Sequence, residues 1–300
     1  MTVQLVNQRR ADGIGASLAA ACLGVSPYLS PIGAWLQLRG MAKATPGGAA
    51  AEWGQIIEPV IRGYYAAKHG HDKPGVSEIV VPTESVIHPE HAWLHATPDG
   101  IVREWFDGQP IDLRGLECKT VDSRIAWQWG LDRRVRTPPP HYRIQAVIQM
   151  ACTSLPRVDF AALFGGNDYA ECIVERDLDL EATACERLAV FWASLDAEDP
   201  PAIDGADEWR DYFADRLPAV KSRALAHRSV ENLLDEWKRL RDAIDVATKD
   251  EATVKNQILA AAVDARANVL DSDHGPVLVV MPKGKRPYLK APIAWGIDKE

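Results

Sequence analysis

No stretch of this 300-residue chain approaches 18 uninterrupted apolar residues, which argues against a helical membrane span. The opening MTVQLVNQRR lacks the apolar core of a signal peptide, so the cytoplasm is the expected compartment. Cysteine is scarce. Cys22, Cys118, Cys152, Cys172 and Cys185 form an odd, scattered set with no Cys-x-x-Cys, so neither a disulfide framework nor a zinc site is indicated. An excess of base is also missing. The net charge of -8 argues against coating nucleic acid by bulk electrostatics, but a local basic groove is still compatible with it. Glycine and proline vanish altogether between Ala219 and His274. What remains is ordinary for a globular protein, 47% hydrophobic and 25% charged, and long enough for one large domain or a core with an appendage.

The chemistry concentrates between Thr97 and Lys119, TPDGIVREWFDGQPIDLRGLECK. Asp99 follows a proline, and eighteen residues later comes Glu117-Cys118-Lys119. Ile101 and Val102 predict a strand leaving the Pro-Asp-Gly corner, Asp107-Gly108 a hairpin turn, and Leu113 to Thr120 the returning strand. Side chains at i and i+2 of a strand share a face, so Glu117 and Lys119 are expected to point together. Pairing across the hairpin brings Asp99 towards them. Two carboxylates and one amine at a common point suit a hard divalent cation with a positioned water. The pattern points to a metal-dependent nuclease; the plainer alternatives are a turn aspartate and an exposed strand ion pair.

Upstream, RADGIGAS (10–17) leads into a short predicted helix over Leu18–Leu23 with Ser17 as N-cap, beside which Arg10 offers a contact to an anion. Ile32–Leu38 predicts another helix. In Ala51–Lys68, Trp53, Ile56, Ile57, Val60, Ile61, Tyr64 and Tyr65 recur at the spacing of one buried helical face. Glu58 flanks that stripe and precedes Pro59, where the helix is expected to begin or bend at a cost of about 3 kcal/mol.

Downstream, Arg124, Arg133, Arg134, Arg136 and Arg143 stand against a single acid, with Trp127 and Trp129 among them. Arginines on phosphates and tryptophans on bases make this a candidate DNA groove; a solvated basic loop with inward-packed tryptophans fits as well. His141–Thr153 predicts a helix with Tyr142, Gln145 and Gln149 on one face, and 158–163 with 169–176 an antiparallel pair. From Val230, apolar residues step 3, 4, 3, 4, 3 through Leu233, Trp237, Leu240, Ile244 and Ala247, and Glu251 interrupts the series. This favours a coiled coil or a helical hairpin bent near Lys249–Glu251, followed by a small basic terminal hairpin. The expected organisation is therefore a core over 1–218 and a helical arm over 219–300.

In order, Arg10-x6-Ser17, Gly54-x3-Glu58-Pro59, Thr97-Pro98-Asp99-Gly100, Glu117-Cys118-Lys119 and Tyr142-x2-Gln145 resemble the YqaJ-like viral recombinases, relatives of lambda-type exonuclease within the PD-(D/E)xK superfamily. The resemblance implies an α/β, restriction-endonuclease-like fold with a central mixed sheet flanked by helices. It implies a Mg²⁺-dependent exonuclease, with Mn²⁺ as a substitute, degrading linear duplex from the 5′ end to leave 3′ overhangs for phage-type recombination and repair. By the same resemblance Asp99, Glu117 and the Cys118 carbonyl hold the metal, and Glu58 completes a second position. Lys119 orients and helps deprotonate the water, with Gln145 in support. Arg10, Ser17 and Thr97, with Tyr142, meet the DNA end and its 5′-phosphate. A single-strand annealing protein, a ring-shaped homotrimer and a setting in a bacterial or phage-infected cell are implied too. Thr97 stands where the lambda-type enzyme has serine. Alternatives are a PD-(D/E)xK endonuclease, or a catalytically silent DNA-end-binding or scaffolding module. An iron–sulfur version would need four suitably placed cysteines, which the spacing does not offer.

Overall fold

Asp107 and Gly108 both adopt positive φ, 50° and 75°, the conformation a tight two-residue hairpin turn demands. Around that turn the sheet is built. The structure, a computed structural model, describes residues 13–42, 48–73, 77–130, 136–214, 216–217, 228–273, 275–283 and 286–290. It divides into two units, Met1–Leu217 and Pro218–Glu300.

The first unit opens with β1 (Ile14–Gly15), α1 (Ala16–Cys22), α2 (Pro31–Leu38) and the long α3 (Gly48–His69). Then come β2 (Asp72–Lys73), β3 (Ser77–Val80), β4 (Val86–Ile87), β5 (Leu94–Ala96) and the hairpin strands β6 (Gly100–Phe106) and β7 (Gln109–Val121). A 3-10 turn over Ser123–Trp129 leads to α4 (Pro140–Thr153), the hairpin β8 (Arg157–Phe164) and β9 (Asp168–Glu175), α5 (Leu178–Asp196) and α6 (Glu208–Ala214). Local chemistry sets several boundaries. Ser30 caps α2 by accepting from Gly33 N–H with Pro31 at the first helical position, and Asp177 caps α5 by accepting from Asp179 and Leu180 N–H.

Six strands form the central mixed sheet in the order β2-β3-β6-β7-β8-β9. Every neighbouring pair is antiparallel except β7 and β8, which run parallel across the α4 connection. Helices cover both faces. On one, Val158, Phe160, Ala162 and Phe164 of β8 join the large core made with α1, α2, α4 and α5; on the other, Ile61 and Tyr65 of α3 lie over Val102, Leu116, Cys118 and Ala161. The alternation along β7 follows. Leu116 and Cys118 face α3, so Glu117 and Lys119 face α4. A small second sheet, β1-β5-β4, pairs β1 with β5 in parallel, Gly15 opposite His95.

Three expectations need correction. Ser17 does not cap α1: the helix starts at Ala16 with Gly15 before it and no side-chain cap, leaving Ser17 exposed in the first turn. α3 runs unbroken through Pro59, and most of its apolar stripe is exposed, Trp53 at 60% and Val60 at 67%, because only Ile61 and Tyr65 reach full burial against the sheet. In the second unit α7 (Arg228–Asp264) is one helix without the expected break, the Glu251–Lys255 ion pair spanning the interruption one turn apart. After it, β10 (Val269–Leu270), β11 (Val277–Val280) and β12 (Tyr288–Lys290) form a three-stranded antiparallel sheet. Among the described residues no helix is long and apolar enough to cross a membrane.

Candidate active site

Gly100 pairs with Leu116 across the β6–β7 ladder, which sets Asp99, one residue earlier, beside the Glu117-Cys118-Lys119 segment. The Cys118 N–H donates to Asp99 Oδ2 at 2.7 Å. Glycine at 100 is a steric requirement, since a Cβ there would lie 2.6 Å from Ile79 Cγ2 on the adjoining strand. On the α4 side of β7, Lys119 Nζ donates to Glu117 Oε1 at 2.6 Å and to Gln145 Oε1 at 3.2 Å, while Gln145 Nε2 donates to Glu117 Oε1 at 2.5 Å. Gln149, one turn further along α4 and fully buried, donates to the other oxygen, Glu117 Oε2, at 2.6 Å. Glu117 is only 2% exposed, and every contact fixing it comes from a residue on β7 or α4.

On the far side, α3 brings Glu58. Arg62 Nη1 donates to Glu58 Oε1 at 2.8 Å and to the Asp99 carbonyl at 3.0 Å, tying that carboxylate to the Asp99 corner. The Pro59 ring leaves the Gln55 carbonyl without its usual helical donor, yet the helix continues, so Glu58 and Arg62 stay one turn apart on the same side.

The electrostatics are those of crowded acids. Burial, then the charges of Glu117 and, more weakly, Glu58 push Asp99 up to about 7, against the Cys118 N–H and Lys119, which pull it down. Burial disfavours the Lys119 ammonium, but Glu117 outweighs it and raises Lys119 above the usual lysine value. The ammonium also lies 4.7 Å from the Tyr142 ring centroid. Among the described residues no three His, Cys, Asp or Glu side chains form a ready cage for an ion. The donors nearest one another are hard oxygens. The unfavourable charge that lifts Asp99 is what a divalent cation relieves, and such an ion keeps several waters with one or two carboxylates, so the residues fit it.

The structure thus brings together Asp99, Glu117, Lys119 and Gln145, with Glu58 linked through Arg62 and Tyr142 beside Lys119. Ser17 and Thr97 leave the same end of the parallel β1–β5 pair, both exposed, with Thr97 Oγ1 2.7 Å from Ser85 Oγ. Arg10, Arg133 and Arg134 lie outside the described residues. The candidate groove does not form as a set. Trp129 is 1% exposed, packed on Tyr142, Phe160 and Phe164, and a base cannot reach it. Arg136 is buried, stacked over Phe164 and donating to the Ala126 and Gly130 carbonyls, so it braces the 3-10 turn. Arg124 is exposed but engaged by Asp122, and Trp127 is half-exposed. Sequence reasoning assigned no role to Arg62 or Gln149; the only signal was that each falls four residues after a site residue, Glu58 and Gln145.

An aspartate after proline at a strand entry, with Glu-x-Lys on the adjoining strand of a mixed sheet covered by helices, is the PD-(D/E)xK arrangement. The chain belongs to the YqaJ-like viral recombinase domain family, whose sequence model matches residues 7–156. It is 22% identical over 262 residues to the uncharacterized protein YqaJ of Bacillus subtilis (strain 168), covering 85% of this chain and 77% of that one. Among solved structures it is similar to an alkaline exonuclease (LHK-Exo) from Laribacter hongkongensis, with a TM-score of 0.48 and 24% identity over 70% of this chain and 96% of that one. The LHK-Exo complex with dAMP gives 0.47 and 24%, over 69% and 95%.

Proposed function

We propose that this protein is a Mg²⁺-dependent exonuclease that degrades linear double-stranded DNA in the 5′-to-3′ direction. The 3′ overhangs it leaves serve phage-type recombination with a single-strand annealing protein. The observation that carries this is the buried Glu117, held by Lys119 and Gln145, beside an Asp99 whose carboxyl is pushed up to about 7 by burial and by Glu117. Asp99, Glu117 and the Cys118 carbonyl hold the metal, and Glu58 contributes to a second position. Bound there, a divalent cation supplies charge relief on the phosphate and lowers the pKa of a coordinated water.

The protein's own residues do the rest. Lys119 orients the attacking water and offsets charge building on the phosphate oxygens. Removal of a proton by Lys119 requires that Glu117 first be neutralised, because Glu117 holds the ammonium charged. Gln145 keeps Lys119 and Glu117 in one geometry. Ser17 and Thr97, leaving one end of the β1–β5 pair, receive the 5′-phosphate together with Arg10.

The test is a time course on linear duplex labelled at either end, with and without Mg²⁺, beside closed circular duplex. Loss of label from the 5′ ends first, only with metal and with circles intact, is the expected result. Rapid cutting of circles would show an endonuclease, and binding without turnover a silent end-binding module. Removing the 5′-phosphate should slow digestion, and Arg10→Ala should erase that difference.

A further inference from the structure

Of the 37 residues of α7 only Ala262 is buried, although the helix carries an apolar stripe. Leu233 is 68% exposed and Trp237 64%, with Val230, Leu240, Ile244 and Ala247 exposed on the same seam. Their spacing assigns Val230, Trp237 and Ile244 to heptad position a, and Leu233, Leu240 and Ala247 to position d. A seam of this kind is not stabilised by the helix itself, and exposed apolar residues at this spacing are covered by another helix in stable proteins.

The flanking positions say which helix. Position g carries Glu236 and Asp250; position e carries Arg241 and Lys255. In two parallel helices in register, each g residue faces the e residue five positions further along the partner. Glu236 therefore meets Arg241, and Asp250 meets Lys255, and the two-fold axis repeats each pair in the other direction. Antiparallel pairing sets g against g and e against e, acid on acid and base on base. Within one helix Glu236 is paired with Arg239 at 2.5 Å and Glu251 with Lys255 at 2.9 Å. Glu251, which falls at position a, thus carries its own neutralising partner past the seam.

We infer that α7 is a self-association surface, and that its partner is the α7 of a second copy of this chain, parallel and in register. The zipper runs from Val230 to Ala247. Association through α7 stands whether or not the chain cuts DNA.

The test uses the full chain in sedimentation equilibrium, with helicity checked by circular dichroism. Leu240→Glu, exposed in the isolated helix, should lower the average mass at concentrations where the unsubstituted protein is associated. Arg241→Glu should weaken association about tenfold, and Glu236→Arg with Arg241→Glu should recover it. Under mild oxidation, Leu240→Cys should link two chains much faster than Val246→Cys, which lies off the seam. Equal masses for wild type and Leu240→Glu overturn the proposal. Tighter association of Arg241→Glu, the result expected of antiparallel helices, or equal linking at positions 240 and 246, does the same.

Discussion

Glu117 is the residue on which the site turns, because a buried carboxylate is tolerated only when its oxygens are met by donors. Gln149 supplies one of them, and the reverse amide orientation would set two oxygens against each other. Gln149→Leu leaves Glu117 Oε2 without that donor, so it should destabilise the core by about 1–3 kcal/mol. It should also weaken Mg²⁺ binding, which calorimetric titration measures apart from turnover. Asp99→Ala and Lys119→Ala should each slow digestion of linear duplex about a thousandfold or more with circular dichroism unchanged. Wild-type rates in either variant would remove these residues from the site.

A second residue-scale prediction concerns His71, buried at the other end of the sheet. Its Nε2 lies 2.9 Å from Arg114 Nη2, which can only donate, so Nε2 accepts and the Nδ1 proton goes to Ser77 Oγ. Burial, then Arg114 and His69, lower its pKa against Glu104 and Asp159, which raise it. Because the folded value lies below the unfolded 6.5, the unfolded chain takes up the proton first. The stabilisation is therefore complete above about pH 6.5 and is lost as pH falls through the lower, folded value. Urea midpoints from pH 7 down to 5 should fall more steeply for the wild type than for His71→Asn. The raised Asp99 contributes a slope of opposite sign, common to both proteins, so the difference between them isolates His71.

Among the elements, the β6–β7 hairpin decides the site. Its turn fixes the register, and the register sets Asp99 beside Glu117. Gly100 lets β6 pass Ile79 closely enough to keep that pairing. Gly100→Val should accordingly cost several kcal/mol by overpacking, in the range of about 1–3 kcal/mol or more, and should reduce cutting in the folded fraction by moving Asp99. Thermal unfolding and single-turnover rates check the two parts separately. This hairpin was legible from Asp107-Gly108 and the flanking strand residues. α3 was legible as a helix but not in its packing: periodicity shows which side chains share a face, and only neighbours show whether that face is covered. The same limit applies to the tryptophans after Arg124. Trp127 and Trp129 look equivalent in sequence, yet the 3-10 turn sends one to the surface and the other under α4.

For the molecule as a whole, the two units imply separate responses. All the acids of the candidate site belong to Met1–Leu217, so metal binding should stabilise that unit alone. Mg²⁺ at about a hundred times its dissociation constant should add about 2.7 kcal/mol to its stability, and EDTA should reverse the gain. Asp99→Ala should abolish the shift. Differential scanning calorimetry with and without Mg²⁺ measures this, and a metal-independent profile in the wild type would count against the proposed centre.

The sequence by itself determined the hairpin, the shared face of Glu117 and Lys119, and the helix that offers Gln145, because those depend on turn chemistry and on periods of 2 and 3.6 residues. Only the tertiary structure decided that β8 runs parallel beside β7, that Arg62 ties Glu58 to the Asp99 corner, and that Gln149 closes over the second Glu117 oxygen. These depend on which elements lie against one another, and side-chain partners far apart in the chain leave no local trace.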